Sequence, residues 1–136
     1  MKFSTKTRYG IRAMLEIGKE KSHQGVFQKD IAVNQEISLK YLDQIIPALK
    51  TAGLISNVRG KKSGYTLIKE HSSITMYDIH CAFESDICIV PCLDKSGTCK
   101  REPICNVKVF WNGLNQNIID YMKSFTLEDI INNQLI

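Results

Sequence analysis

The chain has 136 residues, 43% hydrophobic and 24% charged, which suits a single soluble globular domain whose core needs no disulfide staples. No run approaches the roughly 20 apolar residues of a membrane span. The first residues, Met1-Lys2-Phe3-Ser4-Thr5-Lys6, are charged rather than an apolar leader, so a cytoplasmic, reducing setting with free thiols and no membrane contact is expected. The net charge of +4 is uneven: residues 1–70 carry 13 Lys/Arg against 6 Asp/Glu, and residues 71–136 carry 5 against 8. A basic first half is the footprint of a nucleic-acid face, although solvated surface lysine produces the same balance.

Ser4 and Thr5 can cap a first helix running to about Lys21, with Tyr9, Ala13, Met14 and Ile17 on one apolar face. Gln28 to Asn34 reads as a short second helix with Ile31 and Val33 inward. A tight connection, Gln35-Glu36-Ile37, leads to Ser38, a good N-cap. The third helix carries Leu39, Leu42, Ile45, Ile46 and Leu49 on its inner face and Lys40, Tyr41, Asp43 and Gln44 on its outer one. Pro47 is expected to kink or weaken it past the second turn, and Gly53 to stop it. Residues 54–58 and 65–68 read as two short strands joined by the basic, glycine-flanked loop Arg59-Gly60-Lys61-Lys62-Ser63-Gly64. Helix, short helix, turn, helix and two-stranded ribbon is the order of a winged helix-turn-helix. The fold class expected is therefore mainly α with a small β-wing.

Thr75 can cap a fourth helix reaching about Phe83. A long helix then carries Val107, Phe110, Trp111, Leu114, Ile118, Tyr121, Met122 and Phe125 in a heptad-like stripe, with Val109 and Ile119 off it. A helix apolar on more than one side needs a partner. A second copy of the chain is the expected one, making a homodimer, with packing inside the monomer as the alternative. Thr126-x-x-Asp129 is a capping box for a last helix to about Asn133. The expected division is residues 1–70 as a DNA-binding domain, 71–105 as a linking helix and cysteine loop, and 106–136 as a dimerisation helix with a short C-terminal helix.

In a helix-turn-helix the second helix of the pair enters the major groove of double-stranded DNA. That places Ser38, Lys40, Tyr41, Asp43 and Gln44 at the operator, with Gln44 suited to adenine and Asp43 to the cytosine amino group. Ser38 and Lys40 suit phosphates. Arg59 at the base of the wing suits a narrow minor groove, and Lys61 and Lys62 at its tip suit phosphates. Lys6 and Arg8, with Tyr9, can add backbone contacts. Each element alone is also explained as wetted surface; their order on the basic half is the specific feature.

All five cysteines lie between residues 81 and 105, three of them as Cys92-x6-Cys99-x5-Cys105 in a stretch broken by Pro91, Gly97 and Pro103. Soft, anionic thiolates in that pattern can ligate an iron–sulfur cluster. Candidates for a fourth ligand are Cys88, Cys81, His80 and His71, with Cys88 spaced as Cys88-x3-Cys92. Cys81 reads as a buried apolar thiol and His80 as helix cover. Zinc, or unligated thiols, are the competing readings. No catalytic triad, phosphate loop or paired catalytic carboxylates stand out, so no enzyme is expected.

Ser4-Thr5-Lys6-Thr7-Arg8-Tyr9-Gly10, Ile37 to Gln44, Ala52-Gly53-Leu54-Ile55, Val58-Arg59-Gly60, Gly64-Tyr65, the cysteine triplet and Thr126 to Asn133 together resemble the Rrf-two family of bacterial winged-helix regulators. The ending and the triplet are more similar to its IscR-like members than to the CymR-like ones, which lack a cluster. The resemblance implies a homodimeric repressor joined by its long helices. It also implies a [2Fe-2S] or [4Fe-4S] cluster on Cys92, Cys99 and Cys105, the former favoured, that alters which DNA sites are bound. Genes of cluster assembly are the implied targets. The chain departs from the pattern in three ways. Lys108 stands where IscR-like members carry a histidine ligand, no acid precedes Glu16 to serve as in NsrR-like members, and the first cysteine spacing is one residue longer.

Overall fold

The computed structural model describes residues 2–21, 23–59, 64–93 and 99–133. In chain order it contains α1 (Thr5–Lys19), α2 (Gln28–Gln35), α3 (Leu39–Thr51), β1 (Ile55–Asn57), β2 (Tyr65–Leu67), α4 (Met76–Cys81), α5 (Lys108–Ser124) and α6 (Leu127–Ile131). The winged helix-turn-helix order is present, and the long helix follows the cysteine segment.

Helix α1 begins where Ser4 Oγ accepts from the Thr7 amide at 3.1 Å, and it ends at Lys19, a half-turn short of the expected Lys21. It packs against α2, α3, α4, α6 and β2, so Ala13, Met14 and Ile17 sit at the centre of the core with Ile31, Leu42, Ile45, Leu49, Ile74, Ile79 and Leu127. That core is continuous from the first helix to the last. Val33 and Leu39 depart from the expected inward set: they are 77% and 52% exposed. On so short a helix as α2, Ile31 is the buried residue, with Ala32 partly buried against the core. Leu39 opens α3 beyond the edge of that core.

Pro47 does not break α3, which continues to Thr51. A proline inside a helix removes one amide donor and crowds the carbonyl four residues back. Here Pro47 lies on the solvent side, where water can serve the Asp43 carbonyl. The helix stops where Gly53 adopts φ +75°. The Gly53 and Leu54 amides then donate to the Lys50 and Leu49 carbonyls at 3.0 and 3.1 Å, the paired bonds of a Schellman stop.

Strands β1 and β2 pair antiparallel with Ile55, Ser56 and Asn57 opposite Leu67, Thr66 and Tyr65. Val26 adds a bridge to Tyr65, with reciprocal amide–carbonyl bonds of 2.9 and 2.8 Å. This ties the wing to the loop that precedes α2.

Helices α4 and α6 start side by side. Both have capping boxes, Thr75 with Asp78 and Thr126 with Asp129. The two caps pair with each other, the Met76 amide donating to Phe125 and the Leu127 amide to Ile74. Helix α5 packs on α4 and on the turn at Pro91–Leu93. Its buried residue is Ile119, which the heptad reading set off the stripe. Part of the stripe is open: Val107, Phe110, Leu114 and Tyr121 are exposed, while Met122 and Phe125 pack against the core. Among the described residues no helix is long and apolar enough to cross a membrane.

Candidate nucleic-acid interface and cysteine loop

Ser38 caps α3 through its Oγ, which accepts from the Tyr41 amide at 3.1 Å. Beyond that cap Lys40, Asp43 and Gln44 are exposed along one side of the helix, with Ser38 at its start. Tyr41 is half-buried instead, its ring edge-on to Tyr9 at 5.2 Å. Asp43 is not a free carboxylate: Gln28 Nε2 donates to its Oδ1 at 2.8 Å and to the Leu39 carbonyl at 3.1 Å. The first residue of α2 thereby braces the first turns of α3.

The other end of α2 is braced from α1. Arg12 donates to the Gln35 side-chain oxygen at 3.1 Å and also to the Gln35 backbone carbonyl. Its guanidinium lies 5.1 Å from the Tyr9 ring centroid. Glu16 accepts from Gln35 at 2.6 Å and from Asn34 at 3.2 Å. Arg12 and Glu16 are thus committed to holding the helix-turn-helix angle. Lys6 and Arg8 are exposed on α1, Arg8 donating to Thr5 Oγ1 at 3.1 Å. Arg59 is exposed at the base of the wing, while Lys61 and Lys62 lie outside the described residues. Lys50, near the end of α3, donates to Asn57 Oδ1 at 2.6 Å and lies 4.9 Å from the Tyr65 ring centroid, joining α3 to both strands. Gln28, Arg12 and Lys50 act through contacts between elements, so no periodicity or cap signature marks them in the sequence.

The five cysteines are free thiols. Cys92 lies in a 3-10 turn at Pro91–Leu93, and Cys105 follows another at Glu102–Ile104; both, like Cys99, are half-exposed. The start of the loop is fixed to α5 by Asn115, whose side chain accepts from the Ile89 amide at 2.9 Å and donates to the Ile87 carbonyl at 2.8 Å. Lys108, where the resemblance implies a histidine ligand, is paired with Glu102.

Cys81 is exposed, contrary to its reading as a buried thiol. Partial desolvation raises its pKa first, opposed by the nearby Tyr77 hydroxyl and reinforced by the Asp86 and Asp78 charges. It is therefore held as a poor thiolate donor. The Tyr77 hydroxyl donates to Asp86, which holds the phenol well above its ordinary range.

His80 is the reverse case, 3% exposed rather than covering the surface. Its ring stands edge-on to Phe3 at 5.5 Å and roughly parallel to Tyr77 at 6.4 Å. Nδ1 is 3.3 Å from Glu84, but neither ring nitrogen has a well-formed hydrogen bond. Glu84 also accepts from the Ser4 amide at 3.2 Å, so one carboxylate spans from the cap of α1 to His80. His80 and Cys88 line the same cleft. His71 sits instead beside Glu128, its Nδ1 3.8 Å from the carboxylate.

The donor chemistry of this segment suits a thiolate-held cluster, and His80 adds an orphaned buried nitrogen beside Cys88. The arrangement is not closed: among the described residues no three His, Cys, Asp or Glu side chains converge where a metal ion could sit. Residues 94–98, between Cys92 and Cys99, lie outside the described set.

Comparison with known proteins is consistent along the whole chain. Residues 3–133 match the Rrf2 family, described as "Iron-dependent Transcriptional regulator". The Protein rrf2 of Nitratidesulfovibrio vulgaris is 34% identical over 131 residues, covering 96% of this chain and 87% of that protein. The HTH-type transcriptional regulator IscR of Erwinia tasmaniensis is 35% identical over 135 residues, covering 98% and 81%. Among solved structures, T. potens IscR superposes with a TM-score of 0.78 at 30% identity, covering 98% of this chain and 88% of that one. CymR, the global cysteine regulator of B. subtilis, superposes with a TM-score of 0.79 at 33% identity, covering 98% of both. These relatives are transcription regulators and not enzymes. The open face of α3, the anchored wing and this likeness over nearly the full length lead to one conclusion: the chain belongs to the Rrf2 family, as an IscR-like, DNA-binding transcription regulator.

Proposed function

We propose that this regulator is a cytoplasmic homodimeric repressor whose DNA binding is governed by an iron–sulfur cluster held by Cys92, Cys99 and Cys105. The observation that carries the reading is the confinement of three half-exposed free thiols to one irregular segment, pinned by Asn115 to α5 in a chain of an iron-dependent family. A [2Fe-2S] cluster is favoured over [4Fe-4S], with Cys88 or His80 as fourth ligand. When bound, such a cluster supplies a labile, redox-active group whose presence reports iron and oxidant status. Asn115 ties the start of the cysteine segment to α5, so a change in that segment on loading would be felt by the helix. Coupling of this kind demands that loading favour one arrangement of the reading heads over another.

In this reading residues 1–70 contact the operator, 71–105 sense and 106–136 join two copies. Ser38, Lys40, Lys6 and Arg8 position the phosphates, with the wing lysines Lys61 and Lys62. Asp43, Gln44 and Arg59 face the bases, and Tyr41, packed edge-on against Tyr9, borders them. Genes for cluster assembly are the proposed targets.

A second reading keeps the same scaffold with zinc or a thiol switch in the loop. The observation behind it is that the thiols are free and half-exposed or exposed, open to zinc or to oxidation. Anaerobic purification, with visible absorption and iron, sulfide and zinc contents, separates the two. Iron, sulfide and a charge-transfer band that vanish in Cys92→Ala, with the fold intact by circular dichroism, support the cluster. A colourless protein holding zinc, or an unchanged spectrum in Cys92→Ala, overturns it.

A further inference from the structure

On the DNA-facing side of the helix pair, Gln28 meets Asp43 at the exposed junction of α2 and α3. An amide nitrogen carries two hydrogens. Both are spent on α3: one reaches the Leu39 carbonyl at 3.1 Å and the other Asp43 Oδ1 at 2.8 Å. Gln28 Nε2 therefore has no donor left for DNA. Asp43 keeps a second oxygen, Oδ2, with no partner among the described residues. Its side chain is exposed between Lys40 and Gln44. An unbraced aspartate in this place would rotate freely and be repelled by the phosphates on either side. Held by Gln28, it can present one lone acceptor in a fixed direction, and the entropy of ordering it is spent before DNA arrives.

We propose that Gln28 is a specificity-determining residue that reads no base itself: it fixes the Asp43 carboxylate as an acceptor for an exocyclic base amino group in the major groove, that of cytosine. The inference rests on the proposed placement of α3 against base edges. Among side chains that meet base edges, aspartate is the natural acceptor for cytosine N4.

The test begins with selection of bound duplexes from a random-sequence pool by the full chain. Affinities are then measured at one salt concentration for the selected duplex, for each single-base replacement of it and for an unrelated duplex. The variants are Gln28→Leu, Asp43→Ala and both together. Asp43→Ala is expected to lose preference at one position of each half-site. Gln28→Leu should lose roughly fivefold or more of the preference at that same position. Its affinity for the unrelated duplex and its salt slope should match the parent, which also shows that the variant is folded. In the double variant Gln28→Leu should add nothing. A uniform loss over all duplexes would make Gln28 only a helix brace, and unchanged preferences, or a change at a different position, would equally overturn the inference. If the parent chain enriches no sequence, or Asp43→Ala keeps every preference, the placement of α3 itself has failed and Gln28 falls with it.

Discussion

Two residues show how a single atom sets the packing or the chemistry around it. Gly10 lies in α1 against Phe83, and a Cβ at residue 10 would overlap the Phe83 ring. Gly10→Ala is therefore expected to cost about 1–3 kcal/mol by overpacking, read as a lower urea midpoint with an unchanged slope. A smaller residue in place of Phe83 should relieve it. Cys81 illustrates a thiol whose surroundings, not its exposure, decide its reactivity. Partial desolvation and the Asp86 and Asp78 charges raise its pKa. Alkylation by iodoacetamide, followed by peptide mass spectrometry, should accelerate with a midpoint above the ordinary thiol value of about 8.5. A midpoint at or below that value would return Cys81 to the set of candidate ligands. Neither effect is written in the sequence, since Phe83 and Asp86 reach these residues only through the turn that follows α4.

At the scale of elements, the local signals were largely sufficient. Ser4, Ser38, Thr75 and Thr126 cap the helices they were expected to cap, and Gly53 terminates α3. The misjudged cases have a common cause. Pro47, Val33 and Leu39 were read from residue type, but their consequence depends on which way the helix faces, and all three face solvent. Between elements, Lys50 joins α3 to the wing by its bond to Asn57 and its position over Tyr65. Lys50→Met keeps the stem and removes both contacts. It should cost roughly 0.5–1 kcal/mol and weaken operator binding by loosening the wing relative to α3. Unchanged binding at defined salt would show that the Val26–Tyr65 bridge holds the wing unaided.

For the molecule as a whole, α1 is the hub and α5 the outlier. One face of α5 seals the monomer through Ile119 and Asn115, while Phe110, Leu114 and Tyr121 remain open. Beside them runs an apolar groove bounded by Phe3, Ile11, Met122, Phe125 and Ile130. A second copy of α5 would cover the exposed stripe, in line with the proposed homodimer. Leu114→Glu would bury a charge in that contact, a penalty of several kcal/mol if the charge has no partner. Sedimentation should then show a monomer with a native circular dichroism spectrum. A dimer that survives the substitution would place the contact elsewhere.

Spacing, caps and charge along the chain were enough to establish the helices, the wing, the basic half and the clustered thiols, because each depends on residues within a few positions of one another. The commitment of Arg12, Glu16 and Gln28 to bracing, the burial of His80 and the inward face of α5 depended on the folded arrangement. The bracing contacts link residues 11 to 23 positions apart, while the inward face of α5 turns on the rotation of the helix about its own axis, and a helix apolar on two sides leaves that rotation undecided until its neighbours are in place.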